Sequence, residues 1–284
     1  MNRPPLISVD ALAIKLDLDE LRVFDCRFVL GQPAAGREQY RASHIARAGY
    51  VDLEADLSGA VTANTGRHPL PSEVHFRETL GRLGVTRESP VVVYDEGACQ
   101  MAARFWWMLR WMGHDDVTVL DGGFSTWTRS GRAVEEGESK FPEVIYRATV
   151  NNRLWVPVND VESGIGKKES VLVDARDSAR FKGLEEPLDP VAGHIPGARN
   201  RPFMNNMSDG LFRPAEELRQ EFEALMGGLA PQAVIHSCGS GVTACHNLLA
   251  MTYAGLDGSR LFVGSWSEWI TDKRRAIAVD TDVV

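Results

Sequence analysis

The chain has 284 residues, of which 44% are hydrophobic, 8% aromatic and 25% charged, and its net charge is −8. At about 150 residues per domain this length predicts two domains. The acidic balance argues against nucleic acid or an anionic membrane as the main partner, and the ordinary apolar content argues against disorder.

In chain order, Val91 to Tyr94 is a short apolar, β-branched run of the kind buried in a parallel sheet. Residues 100–113 then carry apolar side chains at helical spacing, with Trp106, Trp107 and Trp111 expected in the core. Residues 117–120 read as the next strand, and Asp121-Gly122-Gly123 as a tight turn after it. The polar stretch that begins near Gly131 predicts a linker over residues 139–153, between domains at 1–138 and 154–284. In the second half, residues 171–173, 234–236 and 260–263 read as strands, and residues 242–253 as a helix. Strand, turn, helix and strand in alternation imply an α/β fold, with mostly parallel sheets flanked by helices.

The two halves echo one another. Val23-Phe24-Asp25-Cys26-Arg27 returns 149 positions later as Leu172-Val173-Asp174-Ala175-Arg176, and His44-Ile45-Ala46-Arg47-Ala48 returns after 150 as His194-Ile195-Pro196-Gly197-Ala198. At an offset of 142, Val92 to Asp95 meets Val234 to Ser237, and Gly122 to Trp127 meets Gly264 to Trp269. Four matches in the same order indicate an internal duplication.

Cysteine usage is sparse. Cys26, Cys99, Cys238 and Cys245 are too few for a disulfide framework, and none forms a Cys-x-x-Cys pair that would point to zinc. The first residues lack the apolar run of a signal peptide, and no run of about 18 apolar residues exists to span a membrane. The expected compartment is the reducing cytoplasm.

The informative segment is His236-Ser237-Cys238-Gly239-Ser240-Gly241-Val242-Thr243-Ala244-Cys245. It places Cys238 between the carboxyl end of a strand and the start of a helix, where α/β sheets hold their ligands. The two glycines let the backbone curl so that N–H groups can face the sulfur. With the positive end of the following helix, they favour a thiolate, which is a nucleophile at neutral pH. Cys26, Cys99 and Cys245 are expected in the core.

This chain resembles the two-domain rhodanese family over nearly its whole length. The resemblance rests on Cys238-Gly239-Ser240-Gly241-Val242-Thr243, Asp174-Ala175-Arg176, the His-Ile-Pro-Gly-Ala run from His194, and the Gly-Ser-Trp-Ser-Glu-Trp run from Gly264. The loop is most like that of the 3-mercaptopyruvate sulfurtransferase branch. The resemblance implies two tandem rhodanese-like domains with one catalytic cysteine, and the 142 offset aligns Cys238 with Glu96 in the first half. It also implies that Cys238 takes sulfur from a donor as a persulfide and passes it to cyanide or to a thiol such as thioredoxin or glutathione, with no metal or organic cofactor.

The resemblance further assigns Arg180 to the donor carboxylate and gives the loop residues Gly239, Gly241, Val242 and Thr243 to substrate binding. It gives Ser240 a place beside the leaving oxygen, together with a histidine that motif position identifies as His44. No Asp lies between Gly31 and His44 to complete such a relay, and residues 184–190 are acidic where the branch carries a second arginine. Neutral Gly239 and Ser240 favour 3-mercaptopyruvate over the thiosulfate dianion, with a thiosulfate sulfurtransferase and a persulfide carrier or scaffold as alternatives. A cysteine phosphatase is excluded: it needs an arginine six residues after its cysteine, and Ala244 stands there.

Overall fold

The computed structural model describes residues 4–147 and 149–280. Ala148, within the predicted linker, and the outermost residues of both predicted domains lie outside the described residues. The chain forms two compact units, and neither is contiguous in sequence. One comprises the chain up to Gly59 together with Leu70–Asn152 and Ser208–Phe212. The other comprises Ala60–Pro69, Arg153–Met207 and the chain from Arg213 onward.

The first unit carries strands β1 (Leu6–Ile7), β2 (Arg22–Asp25), β3 (Gly49–Tyr50), β4 (Val91–Tyr94) and β5 (Val117–Leu120) in the order β1-β5-β4-β2-β3, every pair parallel. Its helices are α1 (Val9–Lys15), α2 (Ala35–Ala42), α3 (Glu73–Arg82), α4 (Gln100–Trp111) and α5 (Gly123–Arg129). All four residues of β4 are buried, as its unbroken β-branched run requires in a sheet covered on both faces. Helix α4 is buried almost all round, with Trp106, Trp107 and Trp111 each at most 3% exposed. It stops at Trp111, short of the 113 that spacing suggests, because Gly113 turns into the left-handed region at φ +78°.

The second unit carries β6 (Trp155–Val156), β7 (Val171–Asp174), β8 (Arg199–Asn200), β9 (Val234–Ser237) and β10 (Arg260–Phe262), ordered β6-β10-β9-β7-β8 and again all parallel. Helices α6 (Val158–Gly164), α7 (Ser178–Lys182), α8 (Ala215–Met226), α9 (Ala244–Tyr253) and α10 (Ser265–Trp269) accompany them. Strand for strand the order is that of the first unit, so the duplication seen in sequence is a duplication of topology.

Each unit repeats one buried ion pair at the end of its second strand. Asp25 accepts the backbone N–H and guanidinium of Arg27, and Asp174 does the same for Arg176. The guanidinium groups then lie on Phe124 and Trp266, 4.1 and 4.9 Å from the ring centres.

The expected linker is not a free tether. Phe141 packs edge-on against Phe24 at 5.6 Å, the Val144 N–H bonds the Gly81 carbonyl, and Tyr146 is 2% exposed. Phe141 and Tyr146 are thus spent on covering the first unit, while Ile145 between them is exposed, a division that spacing among charges hides in sequence. Among the described residues no helix is long and apolar enough to cross a membrane.

Candidate active site

Strand β9 lies at the centre of its sheet and ends at Ser237, so Cys238 emerges at the carboxyl edge between β7 and β10. Its side chain is 1% exposed. The Gly241 N–H donates to Cys238 Sγ at 3.1 Å. Gly241 holds φ +78°, and a Cβ there would stand 2.1 Å from the Val263 carbonyl oxygen, so only glycine closes the loop at this point. The loop carbonyls are turned away: those of Cys238 and Gly239 accept the N–H groups of Trp266 and Ser267 at the start of α10. Ser265 sits in the left-handed region at φ +52°, and its hydroxyl accepts the Cys238 N–H at 3.0 Å while donating to the Phe262 carbonyl. A strained non-glycine backbone here is tied to a specific contact with the cysteine. Helix α9 begins at Ala244, not 242, because Val242 and Thr243 complete the turn and accept the N–H groups of Cys245 and His246.

Ser240 is 6% exposed, and its Oγ lies 2.7 Å from Nδ1 of His68, itself 5% exposed. The histidine at Ser240 is therefore His68, not the predicted His44. His44 is fully buried, with Nδ1 on the Tyr40 carbonyl at 2.8 Å and its ring stacked on Tyr40 at 4.1 Å. Its counterpart His194 makes the same pair of contacts with Phe181, at 2.8 and 3.8 Å. Both are buried histidines of the repeated motif, each held through Nδ1 and its ring face by the chain segment before it, which explains why motif position alone misassigns His44.

Arg180, on α7, is 15% exposed and bonds Glu186 through Nη2 at 2.7 Å. A second guanidinium, Arg67, shares this place. A Cβ built on Gly239 would stand 2.9 Å from Arg67 Nη2 and 3.5 Å from Arg180 Nη2, so the bare glycine next to Cys238 leaves room for Arg67, with Arg180 in ordinary contact distance beside it. Burial lowers the pKa of Arg67, and the strongest opposing influence is the Cys238 sulfur. Arg67 is thus a second cation beside Arg180, where residues 184–190 carry none. That segment instead supplies the counter-ions: Asp189 pairs with both Arg67 and Arg180, and Glu186 with Arg176 and Arg180. Among the described residues no group of His, Cys, Asp and Glu is placed to hold a metal ion.

Arg67 and His68 lie in the long irregular segment between Tyr50 and α3 and bond partners 122 and 172 positions away. The available signal was the length of that segment, since extended structureless loops in compact domains are commonly functional.

The pairing registers also correct the internal alignment. Asp25 pairs with Tyr94, and its echo Asp174 pairs with Ser237. The residue after each is Asp95 in one unit and Cys238 in the other, so Asp95, not Glu96, stands where the thiol does. The left-handed residues Cys99 (φ +58°) and Gly241 (φ +78°) then correspond, which makes the first unit's loop one residue longer. That extra residue is why the 142 offset, correct after the loop, fails before it.

A model of the rhodanese-like domain matches twice, over residues 8–130 and 157–272. The chain is 44% identical over 281 residues to a probable 3-mercaptopyruvate sulfurtransferase of Pseudomonas aeruginosa, covering 98% of this chain and 99% of that protein. It is 36% identical over 255 residues to the thiosulfate sulfurtransferase of Rattus norvegicus, covering 88% and 84%. Among solved structures it is similar to SseA, a 3-mercaptopyruvate sulfotransferase from Escherichia coli, at 33% identity and a TM-score of 0.81, covering 93% of this chain and all of that one. The doubled sheet order, the glycine-closed cysteine loop and these matches agree, and the chain belongs to the rhodanese family as a tandem pair of rhodanese-like domains.

Proposed function

We propose that the chain is a sulfurtransferase that takes sulfur from 3-mercaptopyruvate onto Cys238 and delivers it to a thiol, such as thioredoxin or glutathione, or to cyanide. The observation that carries this reading is the pair of guanidinium groups, Arg67 and Arg180, at Gly239, with the Ser240–His68 pair at the next residue of the same short loop.

In the first half-reaction the Cys238 thiolate attacks the donor sulfur, and the bond between that sulfur and C3 of mercaptopyruvate breaks. Its electron pair passes into the enolate of pyruvate, and a proton completes the product. Arg67 and Arg180 bind the donor carboxylate, and planar guanidinium groups suit that task better than ammonium groups. Ser240, bonded to His68, is within the loop that faces the leaving oxygen and relays the proton to the enolate. The Gly241 N–H, on sulfur in the free enzyme, holds the thiolate and then the persulfide anion. In the second half-reaction the acceptor thiolate or cyanide attacks the outer sulfur, and Cys238 leaves as thiolate. Gly239, Val242 and Thr243 act by shape: the first leaves room for the guanidinium groups, and the others fix the turn into α9. The four unpaired cysteines suit a reducing cytoplasm.

The test is initial rate with 3-mercaptopyruvate and with thiosulfate, cyanide as acceptor, on wild type and Cys238→Ser. A preference for 3-mercaptopyruvate that vanishes in the variant supports the reading. A preference for thiosulfate favours the activity named for the rat relative, and turnover of neither donor by folded protein points to a persulfide carrier.

A further inference from the structure

The guanidinium pair over Gly239 is already occupied by the protein's own carboxylates. Asp189, its side chain 3% exposed, bonds Arg67 and lies 3.4 Å from Arg180 Nη2. Glu186, equally buried, bonds Arg180 and Arg176 and accepts the backbone N–H groups of Leu188 and Asp189, at 3.1 and 3.2 Å. Glu186 therefore holds its own loop together. Asp189 does nothing comparable: among the described residues its carboxylate pairs with the two arginines. Around this point Arg67, Arg176 and Arg180 face Asp174, Glu186 and Asp189, three cations against three carboxylates. Among these six side chains the charges balance, so the guanidinium pair is already offset by carboxylates before any donor arrives.

We propose that Asp189 is a specificity-determining residue: its carboxylate stands as a built-in counter-charge on Arg67 and Arg180, so that the site accepts a donor with one negative charge and disfavours a dianion. The inference rests on the reading of these arginines as the donor's anion clamp. Its physical content is that Coulomb energy scales with the ligand's charge. Neutralising Asp189 must then help a dianion twice as much, in the logarithm of affinity, as it helps a monoanion at the same place.

The experiment uses the full chain and two unreactive anions, pyruvate and sulfate, titrated by calorimetry into wild type, Asp189→Asn, Asp189→Ser and the charge-retaining Asp189→Glu. Each protein is first matched to wild type by circular dichroism, and the second neutral variant keeps the test available where the first does not fold. For the neutral variants, affinity for pyruvate is expected to rise about tenfold and for sulfate about a hundredfold, with kcat/KM for thiosulfate rising about tenfold relative to that for 3-mercaptopyruvate. Asp189→Glu is expected to keep the wild-type ratio. Equal changes for the two anions, or no change in either, would overturn the proposal. If neither donor is turned over by wild type, the proposed function fails, and the sulfate-to-pyruvate ratio still decides the role of Asp189.

Discussion

The two units build the same turn at the end of their central strands and fill it with different side chains, a carboxylate in one and a thiol in the other. In the first, Asp95 accepts the N–H groups of Gly97, Cys99, Met101 and Ala102 at 2.9 to 3.2 Å, so its carboxylate consumes the donors that the turn offers. In the second, the matching side chain is Cys238, and the N–H of the left-handed residue, Cys99 in one and Gly241 in the other, falls on sulfur. The turn is a general holder of negative charge, because curled backbone aims N–H groups inward. Only a nucleophilic side chain in that place gives the turn a chemical use. The difference between a structural and a chemical unit is one side chain, with the guanidinium groups and the Ser240–His68 pair arranged around it.

The largest expected effect is on the thiol. Cys238→Ser should lower sulfur transfer to cyanide by about a thousandfold or more. Adding Asp95→Cys to that variant should restore less than about one thousandth of wild-type activity, since Glu96, Gly97 and Ala98 offer nothing equivalent to Ser240 on His68. Recovery to a tenth of wild type would mean that the turn alone makes the enzyme. Next, Ser240→Ala and His68→Gln should each lower kcat with 3-mercaptopyruvate by about a hundredfold. His44→Gln should leave kcat per folded molecule within about twofold, while lowering the melting temperature through its lost core contacts. A kcat loss at His44 as large as at His68 would restore the motif-based assignment.

Stability should separate the units in the opposite direction. Asp95→Ala strands four N–H groups in a buried turn and should cost about 3 kcal/mol in urea unfolding, with sulfur transfer retained by the molecules that stay folded. The last expected effect concerns acid. His236, in β9, is fully buried and its pKa is pushed down from 6.5 to about 3 by burial. A folded pKa below the unfolded one gives stability that is present above pH 6.5 and lost as pH falls towards about 3, at up to about 1.4 kcal/mol per pH unit. The matching residue of β4 is Val93, which does not titrate. His236→Val should therefore flatten the decline of the urea midpoint between pH 6 and 4, and an unchanged slope would show that other groups govern it.

Much of this was legible in sequence, for reasons that differ by residue. Val91 to Tyr94 and Val117 to Leu120 declare themselves because central parallel strands are buried on both faces and need unbroken β-branched runs. Cys238 declares itself because the glycines around it have few other uses at a strand end. Arg67, His68 and Asp189 do not, because nothing local requires them: each earns its place through a partner far along the chain. The one-residue difference between the two turns was likewise invisible, since both ends of each loop match well and only hydrogen-bond register fixes where the extra residue lies.

The most direct test is to treat the full chain with one equivalent of 3-mercaptopyruvate in the absence of acceptor and map the product by peptide mass spectrometry. One added sulfur atom per chain is expected, on the peptide containing Cys238, removed by cyanide and absent from Cys238→Ser. Sulfur on the peptide of Cys26, Cys99 or Cys245, or none on Cys238 while donor is consumed, would contradict it.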